Sequence, residues 1–295
     1  MHESVLLQET IDGLDLKAGD LVVDGTLGRA GHSIEAARRE PTIRIIGIDR
    51  DEDALRESQA RLVRAGVKFE LFRGNFRDMD KFVSKADKVV LDLGVSSPHL
   101  DSSRRGFSFR NDEPLLMTME KHPGKEAFTA RDVVNGWAEE DIANVIYAYG
   151  EERYARRIAR AIVEQRSQRP LESTRDLVEA IESAVPGIYK RGKIHPATRT
   201  FQALRITVND ELGSLRQGLE RAFEILNPGG RLAVISFHSL EDRIVKIAMK
   251  EWAKQGKGDQ FTKRPITPSD EEMARNPRSR SAKLRIFIKK GETKD

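Results

Sequence analysis

The chain of 295 residues is long enough to bury a sizeable core, and its 38% apolar and 33% charged composition is typical of a globular protein. It has no cysteine, which excludes disulfides, thiolate metal sites and cysteine nucleophiles, and its net charge of +4 does not by itself indicate nucleic-acid binding. No apolar run approaches the roughly 20 residues that span a bilayer, and the first residues lack a signal or transit pattern. We therefore expect a cytoplasmic protein without a membrane partner.

Short apolar runs alternate with amphipathic stretches through the first third of the chain. The runs have the length and the β-branched content of buried strands. They are Leu21–Asp24, Ile45–Asp49, Phe69–Phe72 and Val89–Leu93. Strand–helix alternation of this kind is typical of a parallel sheet with helices on both faces. The sequence therefore predicts an α/β fold with a doubly wound sheet.

The alternation stops near Arg104 and resumes near Arg205. Between these points apolar residues repeat at helical spacing, and no segment has the pattern of a buried strand. The sequence therefore predicts one discontinuous α/β domain, residues 1–104 and 205–295, interrupted by an all-helical domain of residues 105–204.

The last part of the chain continues the α/β pattern. A long amphipathic helix over Val208–Leu226 leads to a strand at Leu232–Ile235, and Ser239 has the sequence context of the next helix cap. The polar segment 255–280 predicts a mobile loop. Alternation of polar and apolar residues over Lys283–Lys289 predicts an outer strand with one solvent-facing side.

The segment Asp24–Ser33 follows the first predicted strand and opens a helix, which is where doubly wound proteins hold a nucleotide. Its glycines follow G-x-x-G-x-x-G, and Thr26 and Leu27 stand where a dinucleotide site needs its second glycine. This spacing disfavours a nicotinamide cofactor. The zwitterionic tail of S-adenosylmethionine instead uses backbone groups beside an acid such as Asp24. A tight turn without a ligand is the alternative.

Three further residues stand at or just after the ends of predicted strands, over the same crevice. Asp49 is placed to accept hydrogen bonds from both ribose hydroxyls of a nucleotide. Phe76 lies either against an adenine ring or in the core. Asp92 ends the fourth strand. Two strand-end acids beside a glycine turn indicate a ligand site more strongly than any one of these residues.

Longer blocks of sequence carry a more specific signal. Along essentially its whole length the chain resembles the RsmH/MraW family, the cytosine-N4 methyltransferases of bacterial 16S ribosomal RNA. The matching blocks are His2–Leu7, Asp24–Ser33, Asp92–Pro98, Arg105–Phe109, Tyr149–Glu152, His195–Arg205, Val208–Leu212, Ser236–Arg243 and Asn276–Ser281.

The resemblance implies a class I, Rossmann-like methyltransferase fold with an inserted helical domain that recognises the substrate. It implies S-adenosylmethionine as cofactor, with 16S ribosomal RNA in the small subunit or its precursor as partner. No spacing of histidine, aspartate and glutamate in the sequence is typical of a dedicated metal site, so we expect no metal. The oligomeric state stays open between monomer and homodimer. The residues that it implies for cofactor binding are Ala30, Gly31, His32, Asp49, Phe76, Asp92 and His99.

The sequence departs from the family pattern at four positions. Ala30 replaces a glycine, which restricts the backbone angles of the turn. His99 stands where the family has glutamine. Leu116 and Thr118 replace the acid and the arginine of the family segment L-D-M-R-M-D. The family's substrate contacts near Leu116 and Thr118 are therefore not carried over to this chain.

Methyl transfer to a cytosine amine has a geometric requirement. The amine lone pair is delocalised into the ring, so acceptors that hold the N–H hydrogens favour the attacking geometry. Asp92 is the first candidate acceptor, and Ser96 or Ser97, of which we favour Ser97, is the second. The alternative is that Asp92 binds only the cofactor. His238, just past the fifth strand, either contacts the target base or holds its own loop.

Basic residues predict where RNA binds. Arg199 and Arg205, together with Arg278, Arg280 and Lys283, are expected to flank one groove and to pair with phosphates. A non-catalytic RNA-binding or ribosome-assembly factor would share this surface, whereas a nicotinamide-dependent oxidoreductase would need a different glycine loop.

Two other features of the helical domain have a functional and a structural interpretation. Phe107 and Phe109 either stack on bases or anchor their loop. The arginines between Arg153 and Arg169 form either a phosphate-binding surface or a solvated helix face.

Overall fold

A computed structural model describes residues 4–94, 104–120, 124 and 127–291. The expectations for Ser96, Ser97 and His99 lie outside these residues. The strands are β1 (Leu21–Asp24), β2 (Arg44–Asp49), β3 (Lys68–Arg73), β4 (Ala86–Asp92), β5 (Leu226–Ser236), β6 (Gly258–Gln260) and β7 (Lys283–Lys289).

Helices fill most of the remaining described chain, with 3-10 turns at Phe76–Lys81 and Pro277–Ser281. The α-helices are α1 (Leu7–Leu14), α2 (Gly31–Arg39), α3 (Glu52–Arg64), α4 (Ala130–Gly136), α5 (Glu139–Gly150), α6 (Ala155–Gln168), α7 (Thr174–Ala184), α8 (Gly187–Lys190), α9 (Ala197–Asn209), α10 (Glu211–Ile225), α11 (Ser239–Lys254) and α12 (Asp270–Arg275). Within the described ranges no helix has the length and apolar composition that crossing a membrane requires.

One seven-stranded sheet has the order β3-β2-β1-β4-β5-β7-β6. Strands β1 to β5 pair in parallel, and β7 runs antiparallel to both β5 and β6. Successive side chains of a strand point to opposite faces. Val23 and Val89 accordingly pack with α10 and α11, whereas Val22 and Val90 pack with α1 and α2. The predicted α/β fold with a doubly wound sheet is confirmed.

The chain separates into two compact units, residues 1–94 with 212–295, and residues 95–211. The first unit contains the sheet. The described part of the second is helical apart from loops and one bridge between Pro114 and Ser173. Its core is formed by buried residues of α4 to α7 and α9, to which the loop residues Leu115 and Met117 add.

Two expectations for the end of the chain are wrong. The predicted loop 255–280 contains β6 and α12, and β6 covers β7, which is therefore not an outer strand. The alternation was misleading because Arg285 is buried, where its Nε donates to Asp242 Oδ1 at 2.7 Å. A charge can be buried in a strand when such a partner is present.

Two local expectations need smaller corrections. The predicted long helix over 208–226 is broken at Asp210, whose φ of 47° is left-handed, so α9 ends there and α10 begins. The cap of α11 is His238 rather than Ser239. His238 forms a capping box with Glu241, in which each side chain bonds the other residue's backbone N–H.

Candidate active site

The carboxyl ends of β1, β2 and β4 each carry an aspartate: Asp24, Asp49 and Asp92. Strands β1 and β4 are neighbours in the sheet although they are not consecutive, so the strand order reverses between them. Ligands of open α/β sheets bind at such a switch point, outside the carboxyl ends of the strands. The structure thus brings the three predicted acids to the edge where a nucleotide cofactor would bind.

The loop after β1 is held to the neighbouring strands by its backbone. The N–H of Gly25 donates to Val90 O, and that of Leu27 to Ile48 O, both at 3.0 Å. Gly28 and Ala30 have left-handed φ values of 50° and 56°. A left-handed conformation strains a residue that has a Cβ, and the alanine at position 30 therefore holds a backbone conformation that suits glycine. Its methyl group is buried in the core.

Asp49 fixes this loop. Its Oδ2 accepts the N–H of Gly28 at 2.8 Å, and its Oδ1 accepts the N–H of Asp51 at 2.8 Å. Asp51 in turn caps α3 by accepting from Asp53. Asp49 therefore has a structural role that its strand-end position alone did not reveal.

Asp24 lies beneath the loop and is buried. The hydroxyl of Ser33 donates to its Oδ2 at 2.6 Å, and the N–H of Thr26 donates to its Oδ1 at 3.3 Å. Burial raises the pKa of Asp24 to about 6, although these hydrogen bonds act in the opposite direction. This carboxyl group therefore titrates near neutral pH.

Asp92 is joined to the same loop by its backbone, whose N–H donates to the Thr26 hydroxyl at 2.6 Å. Its side chain is 26% exposed, yet its Oδ1 is buried and has no hydrogen-bond partner among the described residues. Burial, with the negative charges of Asp24 and Glu241, raises the pKa of Asp92 well above its usual range. A buried acceptor without a donor is costly, and a ligand that carries N–H groups or positive charge would satisfy it.

His32 and Gly31 begin α2 and pack against the N-terminal segment. His32 is buried, with Nε2 3.2 Å from Val5 O and Nδ1 3.8 Å from Asp92 Oδ2. A Cβ on Gly31 would lie 1.9 Å from Ser4 Oγ. Gly31 thus leaves room for the Ser4 hydroxyl, which would have to rotate away from any side chain at this position.

Phe76 follows β3 and is half-buried against the core. A Cβ on Gly218 of α10 would lie 2.4 Å from its ring atoms. The ring therefore needs a glycine at that position, and the structure gives Phe76 a packing role. Its predicted adenine contact stays a prediction.

Glu241 is a site residue that sequence reasoning missed. It is buried, and its Oε2 accepts the N–H of Phe237 at 2.8 Å and of His238 at 3.4 Å. The Nδ1 of His238 accepts the N–H of Glu241 at 3.4 Å. His238 thus holds its own loop, as one of its two interpretations required. In the sequence, Ser239 and Asp242 have the spacing of a capping box, so that pair was singled out instead of His238 and Glu241.

The predicted phosphate-binding residues differ in how they are engaged. Arg278 and Arg280 are exposed in the 3-10 turn before β7. Arg205 forms a two-point salt bridge with Glu211, and Lys283 pairs with Asp242. The guanidinium of Arg205 is committed within its own unit, which argues against its predicted role in holding phosphate.

Phe107 and Phe109 are placed as loop anchors. Phe107 is buried, and Phe109 stacks on His195 with 4.5 Å between ring centroids and meets Phe201 edge-on at 5.2 Å. These ring contacts favour the structural interpretation of Phe107 and Phe109.

Thr118, one of the departures from the family pattern, is also buried, and its hydroxyl accepts the N–H of Glu120.

Comparison with known proteins identifies relatives over nearly the full chain. Residues 1–290 match the model of the MraW methylase family. Proteins named Ribosomal RNA small subunit methyltransferase H are 47% identical in Symbiobacterium thermophilum, covering 98% of this chain and 96% of the relative. The protein of that name from a Nostoc species is 48% identical, and the match covers 100% of this chain and 94% of the relative. The one from Synechococcus elongatus is 50% identical, and the match covers 97% of this chain and 93% of the relative.

Proposed function

The chain belongs to the MraW methylase family, and we propose that it transfers a methyl group from S-adenosylmethionine to the N4 amine of a specific cytidine in 16S ribosomal RNA. The observation that carries the proposal is the likeness, over at least 97% of this chain, to relatives named for methylation of small-subunit ribosomal RNA. The substrate is this RNA in the small subunit or its precursor, and the reaction takes place in the cytoplasm.

The crevice fits the proposed cofactor by the chemistry of its donors and acceptors. S-adenosylmethionine supplies an electrophilic methyl group on a positively charged sulfonium, and it also carries an ammonium group. Asp24 and Asp92, two buried or partly buried carboxyl groups at the same edge of the sheet, match these positive charges. The unsatisfied Oδ1 of Asp92 is the specific feature that calls for a positively charged or N–H-bearing ligand.

Other residues would hold the remaining parts of the cofactor. Asp49 is proposed to accept the ribose hydroxyls; a carboxylate oxygen accepts more than one hydrogen bond, so this role is compatible with its hold on the loop. Phe76 is proposed to contact the adenine. Ala30, Gly31 and His32, with His99 outside the described residues, complete the proposed set.

For the transfer itself, the chain must position the amine rather than activate a nucleophile. Asp92 is proposed to accept an N–H of the cytosine amine, which draws the nitrogen lone pair out of the ring and towards the methyl group. Ser97 is the second proposed acceptor. The bond from the methyl carbon to sulfur would break as the bond to the amine nitrogen forms, and S-adenosylhomocysteine would leave as a neutral thioether. The proton that the amine loses would pass to such an acceptor or to water.

The helical domain of residues 105–204, which interrupts the methyltransferase domain, is proposed to recognise the RNA. Exposed Arg278 and Arg280 on the other unit are proposed to add phosphate contacts. Planar guanidinium groups suit phosphate because they donate two parallel hydrogen bonds.

Nucleoside mass spectrometry of small-subunit RNA from cells with and without the gene tests the proposal. We expect N4-methylcytidine to disappear with the gene and to return when purified protein and labelled S-adenosylmethionine are added to those subunits. Unchanged nucleosides would overturn it. Equilibrium dialysis separates the alternatives: an assembly factor would bind neither S-adenosylmethionine nor NADH, and an oxidoreductase would bind NADH.

A further inference from the structure

Two tyrosines and an arginine pack together on the helical unit. The rings of Tyr154 and Tyr189 meet edge-on, with 4.9 Å between their centroids. The guanidinium carbon of Arg153 lies over both, 4.8 Å from the centroid of Tyr154 and 5.1 Å from that of Tyr189. Arg157 approaches the Tyr154 ring from α6, at 5.7 Å. Cation–π contact of this kind restrains a guanidinium at a surface.

A buried carboxyl group supports the two rings from beneath. Glu152 is fully buried; its Oε2 accepts the Tyr189 hydroxyl, and its Oε1 accepts the backbone N–H of Tyr154 at 2.8 Å. Both tyrosines are half-buried, while Arg153 and Arg157 are exposed. The rings are therefore fixed in place and the arginines remain accessible to a ligand.

The exposed side chains around this group are mostly cationic, with Glu151 as an exposed acid beside them. Arg153 and Arg157 contact the tyrosine rings, and Arg199 donates from Nη1 to the backbone carbonyl of Glu151 at 3.1 Å. The segment 187–199, which contains Tyr189, has no acidic residue and adds Lys190, Arg191 and Lys193. These three cations are exposed, as are the apolar side chains of Ile188 and Ile194.

The position of the arginines on α6 is unfavourable for the helix alone. The N-terminus of a helix carries partial positive charge and favours acids. The first turn of α6 has no acid, and Arg156 and Arg157 occupy it. The buried carboxylate of Glu152, which accepts the N–H of the N-cap residue Tyr154, supplies negative charge at this end of the helix, and the exposed guanidinium groups of Arg156 and Arg157 can still pair with an anion in solution.

We propose that Arg153, Tyr154, Arg157, Tyr189 and Arg199, here called the tyrosine–arginine surface, bind a single-stranded segment of the RNA substrate outside the methylated nucleotide. The inference deepens the proposed function and rests on it. A base stacks on the outer face of Arg153, while the neighbouring cations pair with the phosphates on either side. Single-stranded RNA supplies both groups that this surface fits, planar bases for the guanidinium face and the tyrosine rings, and phosphates for the cations around them.

Binding of a fluorescent, unstructured RNA oligonucleotide to the full-length protein tests the surface by anisotropy across a range of salt concentrations. In the double variant Arg153→Gln, Arg157→Gln we expect the affinity to fall about tenfold. The slope of log K against log salt should decrease by about 0.7, because Arg157 pairs with a phosphate and each lost phosphate contact on a single strand contributes about 0.7. Arg153→Lys should keep the slope and lose affinity, since lysine retains the charge but not the planar face.

The matched control is Arg56→Gln with Arg64→Gln, which removes the same charge from two exposed positions on α3. We expect it to keep the wild-type slope. Affinity for S-adenosylmethionine, measured by calorimetry, should be unchanged in every variant, which also shows that each variant is folded.

If the Arg153, Arg157 double variant kept the RNA affinity and the salt slope of the wild type, the proposed RNA-binding role of this surface would be wrong. This holds even if the variant bound whole ribosomal subunits more weakly, because the partner would then be a protein. An equal fall in the control would also overturn it, since the effect would be one of net charge. Failure of the wild type to methylate small-subunit RNA would instead count against the proposed function, and the binding slope would still decide the surface.

Discussion

The backbone N–H of Asp92 donates a 2.6 Å hydrogen bond to the hydroxyl of Thr26, so the loop after β1 is tied to the end of β4. Thr26 occupies the position where a dinucleotide site needs glycine, and the structure gives this threonine a positive role. The same residue donates its own N–H to Asp24. One side chain and one backbone group of Thr26 thus set the relative positions of two acids in the crevice.

Replacing Thr26 by valine should destabilise the protein. The variant keeps the shape of the side chain but leaves the N–H of Asp92 without its acceptor, which costs about 1–3 kcal/mol. Urea unfolding measures this loss. Thr26→Ser, which keeps the hydroxyl, is the control and should lose much less. Equal stability of the valine variant and the wild type would show that the bond contributes nothing.

Asp49→Ala should weaken binding of S-adenosylmethionine by about 1–3 kcal/mol, since it removes the proposed acceptor of the ribose hydroxyls. It also removes the acceptor for Gly28, so affinity alone does not separate the two roles. A cofactor analogue without ribose hydroxyls separates them by calorimetry. If Asp49 binds the ribose, the alanine variant should lose little further affinity with the analogue; fully additive losses would assign the effect to the loop.

The raised pKa of Asp24 predicts a pH dependence of stability. A carboxyl group with a pKa of 3.8 in the unfolded state and about 6 in the folded state keeps its proton up to a higher pH in the folded state. The folded state therefore binds more protons between these values, and stability falls as pH rises through them, by about 3 kcal/mol at most. Asp24→Asn should be more stable than the wild type at neutral pH and lose this part of the pH dependence. The assignment would be contradicted if the wild type gained stability between pH 4 and 6 and the Asp24→Asn variant lacked that gain.

The same group predicts that S-adenosylmethionine binds more tightly as pH rises through about 6, because its positive charges favour the ionised carboxyl group. Calorimetry in buffers of different ionisation enthalpy should detect release of protons on binding below that pH. In Asp24→Asn the step near pH 6 should vanish, and the titration of Asp92 should move to lower pH, since Asp24 contributes to raising it. An affinity independent of pH in the wild type would show that the cofactor does not sense this group.

Local patterns were enough to predict the α/β fold and the position of the three acids. Apolar runs mark the parallel strands because both faces are covered, and an acid that follows such a run must stand at a strand end. The partners of these acids were not predictable, because they come from distant parts of the chain. The buried position of Arg285 depends on Asp242, and the ring of Phe76 packs where Gly218 has no side chain.

The functional interpretation of aromatic residues failed for a similar reason. Phe109 stands in a polar, arginine-rich segment, which suggests exposure, but His195 and Phe201 cover its ring. Thirty-four residues lie between Tyr154 and Tyr189 in the chain, and no periodic sequence pattern links the two positions. Only the fold shows that they share one arginine.

Asp92→Asn should lower turnover more than it lowers cofactor affinity. The amide keeps an oxygen acceptor at a similar position but loses the charge that strengthens a hydrogen bond to the amine, and such bonds contribute about 1.5–3 kcal/mol. We therefore expect a loss of about 10- to 100-fold in kcat under saturating cofactor and RNA. The dissociation constant for S-adenosylmethionine should change by a smaller factor.

The control for this prediction is Asp49→Asn, which changes the same chemical group at the end of strand β2 in the same sheet. If the two acids have the proposed roles, the Asp49 variant loses affinity and keeps its kcat, whereas the Asp92 variant loses more in kcat than in affinity. The wild-type kcat should also rise with pH through the raised pKa of Asp92, because only the ionised carboxyl group accepts strongly, and the asparagine variant should lose that rise. Equal losses of affinity and turnover in Asp92→Asn, with an unchanged pH profile, would make Asp92 a cofactor ligand and leave the amine to be positioned by another residue.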